Sequence, residues 1–296
     1  MSDRIIQVTA PTRLHCGLLS VHGPGNRFGG AGLMVNEPGL QLTICEAERF
    51  ETTGPLSERV RPFVETWMKF FAIRDWPTCR ITIERITPAH VGLGTGTQLG
   101  LAIAAGLNRW LDLPKLEWTA LAASVGRGLR SAIGTYGFHQ GGFLVERGKA
   151  PDEPLSPLDC RLDIPTEWRF VLLRPTQGEG LSGDAEQSVF ATNGSDEEAI
   201  SQQLREELRL RMVPAMASRT NGQFRRLCMA AKTKAPKAPI APASVGVAMA
   251  VSMPGKPPML PSTAKISTAE GMMPRKHLSH RCKPSMVRAS LGMPGT

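Results

Sequence analysis

Aromatic residues are scarce in this 296-residue chain: they make up 5% of it, with a single Tyr, and none follows Phe224. The stretch beyond Phe224 also holds ten of the 24 prolines and the low-complexity run from Lys232 to Ala243. Such a composition cannot bury enough apolar surface to offset chain entropy, so residues 226–296 are expected to form a disordered, Lys/Pro-rich tail. No apolar run approaches the roughly 18 residues that span a membrane. No long apolar core follows Met1-Ser2-Asp3-Arg4, so no export signal is read and a cytoplasmic location is expected. The six cysteines include no Cys-x-x-Cys pair. That argues against a zinc ribbon, a redox dithiol or a disulfide scaffold, and leaves most of them as small buried hydrophobes.

The formal charge is +9, and the whole excess lies from Ala230 onward; Met1 to Met229 is neutral. The basicity therefore belongs to the tail. Lysines there lack an aromatic platform, which disfavours a single-strand nucleic-acid partner. The abrupt change from Arg to Lys and the loss of every aromatic favour a chain read out of frame after about residue 225. A natural extension and a proline-rich linker are the other two readings.

Upstream, strand-like and helix-period segments alternate. Strands are expected at Ile5 to Thr9, after a turn at Pro11 through Leu14, Cys16, Leu18 and Leu19, at Leu40 to Cys45, at Cys79 to Ile86, at Gly142 to Glu146 and at Trp168 to Leu173. Helices are expected at Ser57 to Phe71, Leu99 to Leu111 and Leu116 to Val125, with a Ser195/Glu198 capping box opening another before Ile200. This mixed order points to an α+β domain.

The chemistry concentrates in Gly92-Leu93-Gly94-Thr95-Gly96-Thr97-Gln98. Three alternate glycines let the backbone bend and bring amides close to a ligand, and the helix that follows offers orphan N–H donors to a phosphate. Thr95 and Thr97 add hydroxyls for the anion or its metal. The plainer reading is a tight strand-to-helix turn with Thr97 as N-cap. Neither a Walker loop nor a dinucleotide fingerprint is present.

Pro88-Ala-His-Val-Gly-Leu-Gly-Thr-Gly-Thr-Gln resembles the central motif of the GHMP small-molecule kinases. The region Arg130 to Val145, where such kinases place a catalytic Asp ahead of paired glycines, holds no acid, which lowers the ATP-dependent kinase reading. The variant is similar to the β-ribofuranosylaminobenzene 5′-phosphate synthase family. Supporting segments are Thr12 to Leu19, Gly29 to Gly32, Gly126 to Ser131, Gly137 to Phe143 and Gly180 to Gly183.

That resemblance implies an α+β, GHMP-kinase-like domain (ribosomal protein S5 domain 2-like) over residues 1–165. It implies the start of a C-terminal α+β domain at 166–225, truncated or disordered beyond. It also implies decarboxylating phosphoribosyl transfer from phosphoribosyl pyrophosphate to 4-aminobenzoate or 4-hydroxybenzoate, a step of tetrahydromethanopterin synthesis, with Mg²⁺ as cofactor. An inactive or nucleic-acid-binding product is the remaining alternative, and a homodimer is left open. Phosphate contacts are expected from Gly92, Gly94, Thr95, Gly96 and Thr97 with Arg13, Arg27, Arg127 and Arg130, and metal contacts from Thr95 and Thr97. His139, flanked by glycines, and His15 are the candidate proton acceptors; a structural hydrogen-bonding role is the alternative for each.

Overall fold

The structure, a computed structural model, describes residues 4–18, 29–89, 91–173, 197–219, 246–250 and 265–269. Its frame is one long hairpin. Strand β1 (Ile5–Leu18) pairs antiparallel with β2 (Gly30–Glu46), from Ile5 opposite Cys45 to Leu18 opposite Gly30. Because β2 is 17 residues long, it serves two neighbours in succession. Its second half pairs with β4 (Cys79–Arg85), which carries the short β3 (Glu51–Thr53) in parallel, and Gly30 to Leu33 pair with β5 (Phe143–Glu146). Strand β6 (Leu158–Leu162) extends β5.

Pro11 does not end the first strand, as its sequence suggested. The strand continues through a register shift between Ala10 and Thr12. A one-residue slip exchanges the two faces of a strand. Ile6, Val8 and Ala10 belong to the core beneath the helices; past the shift Arg13 takes that side, lying against Gly94, and Leu14 joins the opposite cluster. The shift therefore carries polar side chains of β1 onto the helix-covered face.

Helices α1 (Val60–Phe70), α2 (Thr95–Trp110), α3 (Trp118–Ser124) and α4 (Ile133–Gln140) cover that face. Helix α2 is central and begins at Thr95, four residues before the expected start. It is buried almost all round through Asn108 rather than amphipathic, because α1, α3, α4 and the sheet all pack on it. Close approach to the sheet falls at Gly106, where a Cβ would meet Ile44 at 2.7 Å. Trp67, fully buried, donates to Asn108 Oδ1 at 2.8 Å, which satisfies two polar groups that burial would otherwise penalise. On the other face Leu14, Leu33, Val35, Phe143 and Val145 pack with Leu204, Leu208, Met212 and Met216 of the helical run 197–217.

Two strands lie within the segment expected to be disordered: β8 (Gly246–Ala250), paired with β7 (Arg169–Leu173), and β9 (Lys265–Ala269), paired with β1 from Ile5 to Thr9. For these ten positions the expectation is corrected. Strand addition relies on backbone hydrogen bonds and requires neither aromatics nor a low proline count nearby. The rest of that tail lies outside the described residues, as do Ser195 and Gly180 to Gly183. The fold is mixed α+β, with β9 closing a seven-stranded sheet among the described residues.

Candidate active site

Gly94 is the N-cap of α2, with φ 70° and no side-chain cap bond. That conformation strains any residue with a Cβ. A Cβ here would also meet Arg13 Cβ at 2.9 Å. The Thr97 and Gln98 amides turn back to Gly94 O at 3.1 Å, so the outward donors of the first turn are the Thr95 and Gly96 amides. Thr97 is therefore inside the helix and not its cap.

The Thr95 hydroxyl is committed internally. It donates to Pro88 O at 2.9 Å and lies 2.8 Å from Thr87 Oγ1, with Thr95 only 5% exposed. In the structure it staples the exit of β4 to the start of α2. Thr97 Oγ1 has no partner among the described residues and remains available to a ligand. A hard dication wants several oxygen donors, carboxylates foremost. No cluster of three acids, histidines or cysteines suited to a metal occurs among the described residues, and the residues at this loop do not build a protein-held Mg²⁺ site.

Cations converge on the first turn. A Cβ on Gly96 would lie 3.4 Å from Arg59 Nη2 and 3.6 Å from Arg127 Nη2. Arg127 sits 4.7 Å over the Phe63 ring. Burial, then Arg59 and Arg130, pull its pKa below the usual arginine range. Arg59 and Arg127 have no carboxylate partner among the described residues, and both stand at the positive end of a helix dipole, an arrangement that an anion relieves. Arg13 runs along Gly94, and its amide donates to Leu93 O at 3.1 Å. Arg27 lies outside the described residues. Arg59 was missed in the sequence because it belongs to a surface-like helix start distant from any glycine motif.

Beside this cradle lies a second polar cluster. His15 Nε2 is 3.4 Å from Ser131 Oγ, and Ser131 Oγ donates to Glu146 Oε1 at 2.6 Å. Glu146, with 0% exposure, also accepts from the Ala132 amide at 2.6 Å. Burial raises its pKa to about 7, against hydrogen bonds from Ser131, Ala132 and Ser156 and the charge of Arg13. Burial, with Arg13 beside it, lowers His15 to about 3. Gly32 makes the cluster possible: it lies opposite both His15 and Leu144, and a Cβ there would meet Leu14 O at 2.7 Å and Ile133 Cγ2 at 2.8 Å.

Glu146 stands one residue past the acid-free stretch Arg130 to Val145. Alternation along β5 would have found it, since it falls on the same inward face as Leu144. His139, in contrast, is exposed in the last turn of α4, at the opposite end of that helix from Ser131. The α4 period turns it away from the buried Tyr136 and Phe138, so the structure does not bring it together with His15.

The family described as GHMP kinases N terminal domain matches residues 62–139, from α1 to α4 with the loop between. A β-ribofuranosylphenol 5′-phosphate synthase of Methanothermobacter thermautotrophicus is 32% identical over 204 residues, 62% of each chain. The chain is related to the β-ribofuranosylphenol 5′-phosphate synthases. The Archaeoglobus fulgidus synthase is 30% identical over 200 residues, 63% of this chain and 62% of its own. The chain thus spans about 62% of the length of these synthases. Streptococcus pneumoniae phosphomevalonate kinase (TM-score 0.57, 11% identity, 78% of each chain) and Staphylococcus aureus mevalonate diphosphate decarboxylase (TM-score 0.53, 13% identity, 79% and 73%) share the GHMP-kinase-like fold.

Among the described residues Cys45 and Cys79 are buried and Cys16 and Cys160 half-buried. No described helix is long and apolar enough to cross a membrane.

Proposed function

We propose that the chain catalyses, or descends from a catalyst of, decarboxylating phosphoribosyl transfer. Phosphoribosyl pyrophosphate is the donor and a para-substituted benzoate, 4-hydroxybenzoate or 4-aminobenzoate, the acceptor. The observation that carries this reading is the convergence of Arg59 and Arg127 on Gly96 at the first turn of α2. The likeness to the synthases supplies the substrate class.

In the reaction the bond from ribose C1 to diphosphate breaks, and its electron pair leaves with the diphosphate. The ring carbon bearing the carboxylate attacks C1. Carbon dioxide then departs, and its bonding pair restores the aromatic ring. Charge develops on the leaving diphosphate, where preorganised guanidinium and amide donors are most effective. The Thr95 and Gly96 amides, Thr97 Oγ1, Arg59 and Arg127 supply those donors, and Arg13 borders them. No group of acids, histidines or cysteines suited to a metal occurs among the described residues, so a divalent cation would arrive bound to the diphosphate. A para hydroxyl that gives up its proton pushes electron density toward the attacking carbon, and His15, 3.4 Å from Ser131 Oγ, is the acceptor this reading assigns.

A kinase reading gains nothing from Glu146, because its two oxygens are taken by Ser131 and Ala132 inside the core. The test is purified full-length protein with phosphoribosyl pyrophosphate and each benzoate. Release of pyrophosphate and carbon dioxide in equal amounts is expected. ATP turnover with neither product would replace this reading by the kinase one.

A further inference from the structure

His15 presents a contradiction as a base. Its position beside the anion cradle suits proton removal, yet burial and Arg13 leave the ring unable to keep a proton near neutral pH. A proton taken up at one ring nitrogen has to leave from the other. The neighbouring atoms offer one exit: Nε2 is 3.4 Å from Ser131 Oγ, which is already 2.6 Å from Glu146 Oε1.

We propose that Glu146 is the positioning and proton-holding partner of His15, acting through the Ser131 hydroxyl. The ring accepts the substrate proton at one nitrogen and releases its own from Nε2 to Ser131 Oγ, while Ser131 passes its hydroxyl proton to Glu146 Oε1. The ring ends neutral as the other tautomer, Ser131 is unchanged, and the carboxylate has become a carboxylic acid. No oxidant, metal or further reactant enters. The 3.4 Å step has to contract as the substrate closes the site, as catalytic hydrogen bonds in ligand-free enzymes commonly do.

The carboxyl is suited to this task for three reasons. It has no exposure to solvent, so its proton exchanges through the relay. Its second oxygen is held by the Ala132 amide, which fixes Oε1 toward Ser131. Its protonation also falls near neutrality, where a small change in the site moves the proton either way. The groups facing it are Arg13 and His15 from β1, Ser131 and the Ala132 amide at the start of α4, Tyr136 from α4, and Ser156 from the loop after β5. Arg13 keeps the carboxylate ionised and ready to accept, and its charge opposes an imidazolium, so a proton delivered by substrate does not rest on the ring.

The substrate's identity in this relay rests on the proposed phosphoribosyl transfer; the relay itself is read without turnover. The measurement is a nitrogen-detected imidazole titration of the ¹⁵N-labelled full chain, with His15 assigned by its loss in His15→Gln. Between pH 5.5 and 8.5 the His15 ring is expected to stay neutral while its tautomer balance steps with a midpoint near 7. Glu146→Gln and Ser131→Ala should each remove the step; Ser131→Ala leaves the carboxyl buried and serves if Glu146→Gln fails to fold. A step unchanged in either folded variant, conversion of the ring to imidazolium, or no step in the parent overturns the relay. In the transfer assay Glu146→Gln should lower kcat on the order of 10²-fold with KM for the diphosphate donor unchanged. A step that titrates as expected in a protein with no transfer activity keeps the relay and removes the phosphoribosyl reading.

Discussion

Arg127 rests 4.7 Å over the face of Phe63, and Phe63 in turn fills the space that a Cβ on Gly100 would enter at 2.9 Å. The aromatic floor holds the guanidinium beside the first turn of α2 without neutralising it. A cation fixed in this way costs stability until an anion arrives.

Inorganic pyrophosphate is therefore expected to bind and to raise Tm, since a ligand of the folded state stabilises it by mass action. Arg59→Ala and Arg127→Ala should each weaken that binding roughly tenfold to a hundredfold, the range of a charge-assisted hydrogen bond worth about 1.5–3 kcal/mol. Calorimetric titration checks the affinity and thermal melting the stability. Equal affinity in parent and variants would remove these two arginines from the site.

Gly94 and Gly96 are expected to separate folding from binding. Gly94→Ala places a Cβ in the left-handed region and against Arg13, and should cost about 1–2 kcal/mol of stability. Gly96→Ala has ordinary backbone geometry, and its methyl would stand between two guanidiniums. It should melt no lower than the parent while binding pyrophosphate at least tenfold more weakly. Denaturant unfolding alongside binding distinguishes the two.

Glu146 and His15 give opposite pH signs. For Glu146 the folded pKa is raised, from 4.5 to about 7, so its contribution is fully present below 4.5 and is lost as pH rises through 7. For His15 it is lowered, from 6.5 to about 3, so its contribution is present above 6.5 and is lost as pH falls toward 3. Between 4.5 and 6.5 the two slopes offset each other. Glu146→Gln removes one of them. The variant should match the parent at pH 4.5, exceed it by up to about 3 kcal/mol at pH 8 at roughly 1.4 kcal/mol per pKa unit, and lose stability on acidification from pH 6.5 where the parent does not. Urea unfolding across pH checks the crossing.

His139→Ala, at a side chain exposed in the last turn of α4, is expected to leave turnover and pyrophosphate binding unchanged. His15→Gln should lower kcat on the order of 10²-fold with little change in KM for the donor. Steady-state kinetics of the two variants decides between the histidines: a large loss in His139→Ala alone would assign the proton acceptor to His139.

The glycine-rich loop before α2, the mixed strand and helix order and the family likeness were legible in the sequence, because these depend on local backbone chemistry and on short segments in a set order. Cys79 to Arg85 and Val60 to Phe70 were legible from alternation and helical period for the same reason. Which polar residues meet depends on contacts between elements distant in the chain. Arg59 reaches Gly96 across α1 and α2, and Thr95 turns out to be a staple because β4 and α2 adjoin. Glu146 enters the site because Gly32 of β2, opposite both His15 of β1 and Leu144 of β5, has no side chain to separate them. The register shift at Pro11 settled the outcome for Arg13: one residue of slip exchanges the faces of a strand, and only the partner strand reveals that it occurred.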